Sequence, residues 1–129
     1  PLWSRGLGDV YKRQVLGMAK NSGAVGFVTD GCVRDLVGLK NVGLPAWSMG
    51  ITPNSPHRNG PGTIGYPINI AGFPVRSGDV VVADLDGVVI IPIEKMTMVL
   101  EKLPSIRSAE ASADESVRQG ARLPGFLKK

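Results

Sequence analysis

Ala24-Val25-Gly26-Phe27-Val28-Thr29-Asp30-Gly31-Cys32-Val33-Arg34-Asp35 carries the main structural signal of this chain. Residues 24–29 form a short apolar run of the kind shown by a strand covered on both faces. The run ends at Asp30-Gly31, a turn-forming pair. The carboxylate of Asp35 suits a helix N-terminus and predicts a short helix that buries Leu36, Val37 and Leu39 and stops at Asn41-Val42-Gly43. Upstream, Val15, Leu16, Met18 and Ala19 predict the end of an amphipathic helix over 15–21, halted near Ser22-Gly23. Downstream, Leu44 to Met49 reads as a second strand.

Beyond it, residues 50–62 hold Pro53, Pro56, Pro61, Asn54 and Asn59 and predict a loop. That length exceeds an ordinary connection and leans toward function or a subunit contact. Strands are predicted over 64–70, 73–75, 80–83 and 88–91, with turns at Gly72, at Arg76-Ser77-Gly78-Asp79 and at Asp84-Leu85-Asp86-Gly87. Residues 94–118 read as mostly helical, with a break expected at Pro104 and with Met96, Met98, Val99 and Leu103 on the buried side. No repeat, linker or low-complexity tract divides the chain.

The 129 residues suffice for one ordinary domain. With 43% hydrophobic and 20% charged residues, burial of a core is expected and intrinsic disorder is not. Seventeen glycines and ten prolines beside few aromatics suggest a turn-rich α/β or β-rich domain with an aliphatic core. No apolar run approaches the roughly 18–20 residues of a membrane span, so no membrane partner is expected. The first residues lack the layout of a secretory signal. The single Cys32 excludes an internal disulfide and a multi-cysteine zinc site, and fits a reducing, cytoplasmic compartment.

A net charge of +4 invites a nucleic-acid reading. Part of that charge lies in residues 1–14, which show no helical or strand periodicity. Ser4 to Gln14 resembles the conceptual translation of a transposase-type sequencing adapter, so residues 1–14 are read as a non-native scar and set apart from the fold. They hold three bases against one acid, which leaves +2 for the rest. Those charges are scattered apart from Lys128-Lys129, with no interleaved aromatics, and no nucleic-acid partner is expected. Residues 15–129 are then expected to be the C-terminal part of a larger domain.

Chemistry is most concentrated at Arg34-Asp35, just past the strand over 24–29, where open α/β sheets place their ligands. A guanidinium can hold a carboxylate through two parallel hydrogen bonds. A carboxylate can hold a hard divalent cation directly or through water. By itself the pair is a weak signal and reads first as a structural ion pair with a helix cap.

Residues 15–129 resemble the C-terminal part of the RraA-like family. That family joins the regulator of ribonuclease activity A with 4-hydroxy-4-methyl-2-oxoglutarate / 4-carboxy-4-hydroxy-2-oxoadipate aldolases. The resemblance rests on Gly23-x-x-Gly26-Phe27-Val28-Thr29-Asp30-Gly31-x-x-Arg34-Asp35, Pro45-Ala46-Trp47-Ser48-Met49-Gly50, Gly60-Pro61-Gly62, Val75-Arg76-Ser77-Gly78-Asp79 and Ala83-Asp84-x-Asp86-Gly87 through Pro92, in that order. It implies an α/β fold of the swivelling β/β/α type, truncated at its N-terminus. It implies a metal-dependent pyruvate aldolase that also decarboxylates oxaloacetate, with Arg34 as substrate and enolate contact and Asp35 as ligand of Mg²⁺ or Mn²⁺. A small oxo-acid substrate and a homotrimer or homohexamer follow from the same likeness. The alternative it carries is a non-enzymatic regulator that binds a ribonuclease.

At one point the chain departs from the pattern. Family enzymes place an acidic or small residue ahead of Arg-Asp with twenty residues between, and that place is Arg13 here. The segment that would cradle the substrate carboxylate, at about residues 12–15, is also overwritten almost entirely, so negligible activity is expected of this chain. Cys32 is expected to pack as an inert thiol, Asp84 and Asp86 to serve the hairpin, and His57 to be a solvated loop residue before a substrate-facing or intersubunit one. Gly60-Pro61-Gly62 lacks the lysine and helix of a phosphate loop.

Overall fold

The computed structural model describes residues 10–11, 13–55 and 62–125. The chain divides into two units, Pro1–Ile90 and Ile91–Lys129. In the first, β1 (Val10–Tyr11), α1 (Arg13–Asn21), β2 (Phe27–Val28), β3 (Cys32–Val33), α2 (Leu36–Val42), β4 (Ala46–Trp47) and β5 (Gly50–Ile51) follow one another. Then come β6 (Ile68–Ile70), β7 (Phe73–Val75), β8 (Val80–Ala83) and β9 (Val88–Ile91), whose last residue opens the second unit.

Strands β1, β3 and β5 form a parallel sheet in that order, with Val10 opposite Cys32 and Cys32 opposite Gly50. Strands β2 and β4 pair in parallel, Phe27 with Ala46 and Val28 with Trp47. Parallel pairing needs a crossover, and α2 lies within both the β2-to-β4 and β3-to-β5 connections. Strands β6 and β7 form an antiparallel hairpin, and β8 pairs with β9.

Helix α1 ends where glycine permits a left-handed residue. Gly23 sits at φ +90°, its amide bonds the Lys20 carbonyl at 2.9 Å, and the Ala24 amide reaches back to Ala19 at 3.0 Å. This pairing satisfies the last carbonyls and turns the chain toward β2. Lys20 then donates through Nζ to the Val42 carbonyl at 2.6 Å, a cation at the C-terminal end of α2. Between these elements Leu16, Phe27, Val33, Leu39 and Leu44 form the buried core, with Val15, Ala19, Ala24 and Val42 packed against it. A second buried pair, Ile68 and Val75, faces across the β6–β7 hairpin. Asp30 ties that hairpin to β2, its Oδ2 accepting from the Ala71 amide at 3.1 Å.

Several expectations change. Val10-Tyr11 and Arg13-Gln14, set apart as foreign, take part as strand β1 and the first turn of α1. Main-chain pairing with β3 needs no side-chain periodicity, so no pattern announced it. The double cover predicted for 24–29 fails at Val25, which is 90% exposed, while Phe27 and Thr29 are buried. Of the three residues predicted buried on α2, Leu39 is buried, whereas Leu36 and Val37 are exposed. Strands β3 and β5 were unforeseen, and the second begins inside the predicted loop; two-residue strands are too short to show a period. Of residues 64–70, the ordered strand is Ile68–Ile70.

In the second unit a 3₁₀ turn, Ile93–Lys95, leads into α3 (Met96–Arg118). Pro104 lies inside α3 and does not end it. Proline removes a single rung, and helix-forming residues flank it on both sides. Met96, Val99 and Leu103 are half-buried and Met98 is exposed, so the predicted buried side is absent. The helix closes as α1 does, with Gly120 bonded to Val117 at 2.9 Å and Ala121 to Ser116 at 3.0 Å. Among the described residues no helix is long and apolar enough to cross a membrane.

Candidate functional site

Asp35 is the N-cap of α2, in the left-handed region at φ 68° and ψ 62°. Aspartate is one of the few residues that tolerate this conformation, which costs others roughly 1–2 kcal/mol. Its Oδ1 accepts the Gly38 amide at 3.1 Å, as the predicted cap requires. The left-handed bend lets Arg34 and Asp35, neighbours at the end of β3, face one pocket. That cavity of about 220 Å³ is lined by Arg13, Gln14, Arg34 and Asp35. The two residues singled out by sequence are therefore brought together, at an opening to solvent.

Arg34 is half-buried. Its Nη1 donates to the Pro53 and Asn54 carbonyls at 3.4 and 3.3 Å and to Ser55 Oγ at 3.1 Å. The segment after β5 thus fixes one edge of the guanidinium. Among the described residues its hydrogen bonds all run through Nη1.

Two features of the site were not foreseen, the contact of Arg13 with Asp35 and the part played by Gly38. Arg13 Nε lies 3.6 Å from Asp35 Oδ2, both side chains being about half exposed. A Cβ at Gly38 would collide with Asp35 Oδ2 and would lie 2.7 Å from Arg13 Cδ. A glycine inside a seven-residue helix is unfavourable by about 1 kcal/mol relative to alanine, and that cost was the available sign of a close approach.

Magnesium is usually held by one or two carboxylates and several waters. Here Asp35 is the one carboxylate at the pocket among the described residues; one of its oxygens caps α2 and the other faces a guanidinium. Among the described residues no group of three or more His, Cys, Asp or Glu could hold a metal ion. Mg²⁺ or Mn²⁺ does not fit this arrangement, because a divalent ion on Oδ2 would meet like charge at Arg13.

Of the remaining candidates, Cys32, Asp84 and Asp86 lie among the described residues. Cys32 is half-buried in β3, opposite Gly50. Asp84 Oδ1 accepts the amides of Asp86 and Gly87 at 2.8 and 3.3 Å, the turn chemistry expected of it. His57, Gly60 and Pro61 lie outside the described residues. An apolar cavity of about 610 Å³ lies elsewhere on the first unit, lined among others by Leu36, Leu44, Ala46 and Ile51.

A family model described as RraA-like, Aldolase/RraA, matches residues 7–90. A protein of Halalkalibacterium halodurans named "Putative 4-hydroxy-4-methyl-2-oxoglutarate aldolase" is 39% identical over 107 residues, which are 83% of this chain and 49% of that protein. The 4-hydroxy-4-methyl-2-oxoglutarate aldolase of Thermus thermophilus is 31% identical over 75 residues, 58% of this chain and 46% of the relative. The chain therefore spans about half the length of the curated relatives it matches. Among solved structures, Streptomyces coelicolor RraAS2, described as an unusual member of the RNase ES inhibitor RraA protein family, superposes with a TM-score of 0.68. It is 26% identical, and the match covers 87% of this chain and 57% of that one.

Proposed function

Because the chain belongs to the RraA-like family of aldolases and RraA proteins, we propose that it derives from a lyase that cleaves 4-hydroxy-4-methyl-2-oxoglutarate-type oxo-acids to pyruvate and decarboxylates oxaloacetate. The observation that supports this reading most is the shared pocket of Arg34 and Asp35 at the end of β3. Arg34 is the residue proposed to contact the substrate. Its planar fork matches a carboxylate, and the loop carbonyls that hold Nη1 fix its direction.

In the proposed reaction the 4-hydroxyl loses its proton to water and the C3–C4 bond breaks. The electron pair moves through C3 onto the C2 oxygen, which yields one pyruvate and the enolate of a second. Return of a proton from water to C3 completes the second product. Arg34 opposes the charge that grows on the C2 oxygen, and a fixed donor at such a position is worth about 10²–10³ in rate. Oxaloacetate loses CO₂ from the same carbon to the same enolate, so one guanidinium serves both reactions. Asp35 orients the start of α2 beside this charge. No step is assigned to a metal, since Mg²⁺ or Mn²⁺ at Asp35 is at odds with the Arg13 contact.

The test is a chimera in which residues 15–90 of this chain replace their counterpart in the Halalkalibacterium halodurans relative. Pyruvate release from both substrates is expected, with a drop of about a hundredfold or more in kcat/KM on Arg34→Ala. The 129-residue chain itself is expected to show negligible turnover. The likeness to RraAS2 favours a second reading, a regulator that binds a ribonuclease. Absence of any oxo-acid turnover by the chimera, beside tight ribonuclease binding, selects the regulator.

A further inference from the structure

Arg13 is the first residue of α1, a place where the helix dipole disfavours a cation, and the first turn holds no acid to offset it. Its guanidinium instead meets Asp35, which caps another helix. The contact is built from two sides. Oδ1 of Asp35 is anchored by the Gly38 amide at 3.1 Å, which turns Oδ2 toward Arg13 Nε at 3.6 Å. Gly38 has no side chain, and that space admits both the carboxylate and the Arg13 stem, whose Cδ would lie 2.7 Å from any added Cβ. With Arg34 the pocket carries, among the described residues, two guanidiniums against one carboxylate. A divalent cation would raise its charge to about +3, whereas a monoanion would bring it near zero.

We infer that the guanidinium of Arg13 serves as a built-in counter-cation for Asp35, and that it bars divalent metal from the pocket of this chain. Metal binding at Asp35 is then conditional on removal of the charge at position 13. The relation follows from the pocket's charges and contacts, and it holds whether the parent protein is a lyase or a regulator.

Mn²⁺ binding reads it directly, through loss of the electron-paramagnetic-resonance signal of the free aquo ion on titration with protein. Arg13→Ala and Arg13→Gln are expected to bind Mn²⁺ at least tenfold more tightly than the unsubstituted chain. Arg13→Lys, which keeps the charge, is expected to bind as weakly as the unsubstituted chain. Adding Asp35→Asn to either neutral variant is expected to abolish the gain. Equal affinity in the unsubstituted chain and both neutral variants overturns the assignment, as does a gain that survives Asp35→Asn or appears equally in Arg13→Lys. Position 13 is exposed, and glutamine is a good helix former, so Arg13→Gln keeps the test decisive should the alanine variant lose its fold. Failure here leaves the oxo-acid reading intact, because that reading rests on Arg34 and pyruvate release.

Discussion

The amide of Gly38 donates to Oδ1 of Asp35 at 3.1 Å, and Gly38 has no room for a Cβ beneath the same carboxylate. One glycine thus supplies both a hydrogen bond and the space in which the acid lies. Gly38→Ala should gain about 1 kcal/mol of helix propensity and lose more than that, because the methyl group displaces the cap and the Arg13 stem. The expected net loss is about 1 kcal/mol, read as a lower urea midpoint with unchanged slope. A variant more stable than the unsubstituted chain would show that the carboxylate does not lie over Gly38.

Asp35 combines a cap, a left-handed backbone and a charge, and substitutions separate them. In Asp35→Asn the amide oxygen can still accept from Gly38, and asparagine tolerates φ 68°, so the change should cost less than about 1 kcal/mol. The Arg13 contact it removes is between exposed groups and contributes little. Asp35→Ala loses the cap and places a poorly suited residue in the left-handed region, with an expected cost of about 2–3 kcal/mol. Thermal or urea unfolding checks the order; equal losses in the two variants would mean that the charge, and not the cap, holds the helix start.

Arg34 fixes the segment after β5 through Pro53, Asn54 and Ser55, all at 3.1–3.4 Å. Arg34→Ala is expected to speed amide exchange at residues 52, 54 and 55 by severalfold, while the core around Leu16 and Leu39 keeps its protection. Lysine lacks the planar fork and should restore the slow exchange only in part. Uniformly faster exchange across the first unit would make Arg34 a general structural residue instead of an anchor for that segment.

Much of this arrangement was legible in local chemistry. Asp35 and Gly43 bracket α2 as cap residues do, and both positions stand where the sequence put them. The Asp84–Gly87 turn and strands β7, β8 and β9 were likewise marked by turn residues at fixed offsets. The two-residue strands β3 and β5 were not, because their order comes from main-chain partners distant in sequence and not from a side-chain period. The contact between Arg13 and Asp35 escaped for a related reason: residues so far apart in sequence meet only once α1 and α2 are packed together. Hydrophobic periodicity also overstated burial, since Val25 and Val37 belong to apolar runs yet face solvent in this chain. The family resemblance named Arg34 and Asp35, and the physical sign that they belong to one site is the left-handed bend at Asp35.

Trp47 offers a test of how the first unit joins β4 to its C-terminal hairpin. Its Nε1 donates to the Asp84 carbonyl at 2.7 Å, and its ring lies 3.6 Å from where a Cβ on Gly26 would stand. The indole therefore packs beside β2 while its polar edge holds the turn between β8 and β9. Trp47→Phe keeps an aromatic ring and deletes the donor, so the expected loss is about 0.5–1.5 kcal/mol, toward the low end because the bond is exposed. The Asp84 amide, bonded to the Gly87 carbonyl at 3.0 Å, should exchange several times faster in that variant. Unchanged exchange at Asp84 would mean that the hairpin is held by the turn bonds of its own carboxylate, and Asp84→Asn, which can retain those bonds, should then match the unsubstituted chain as well.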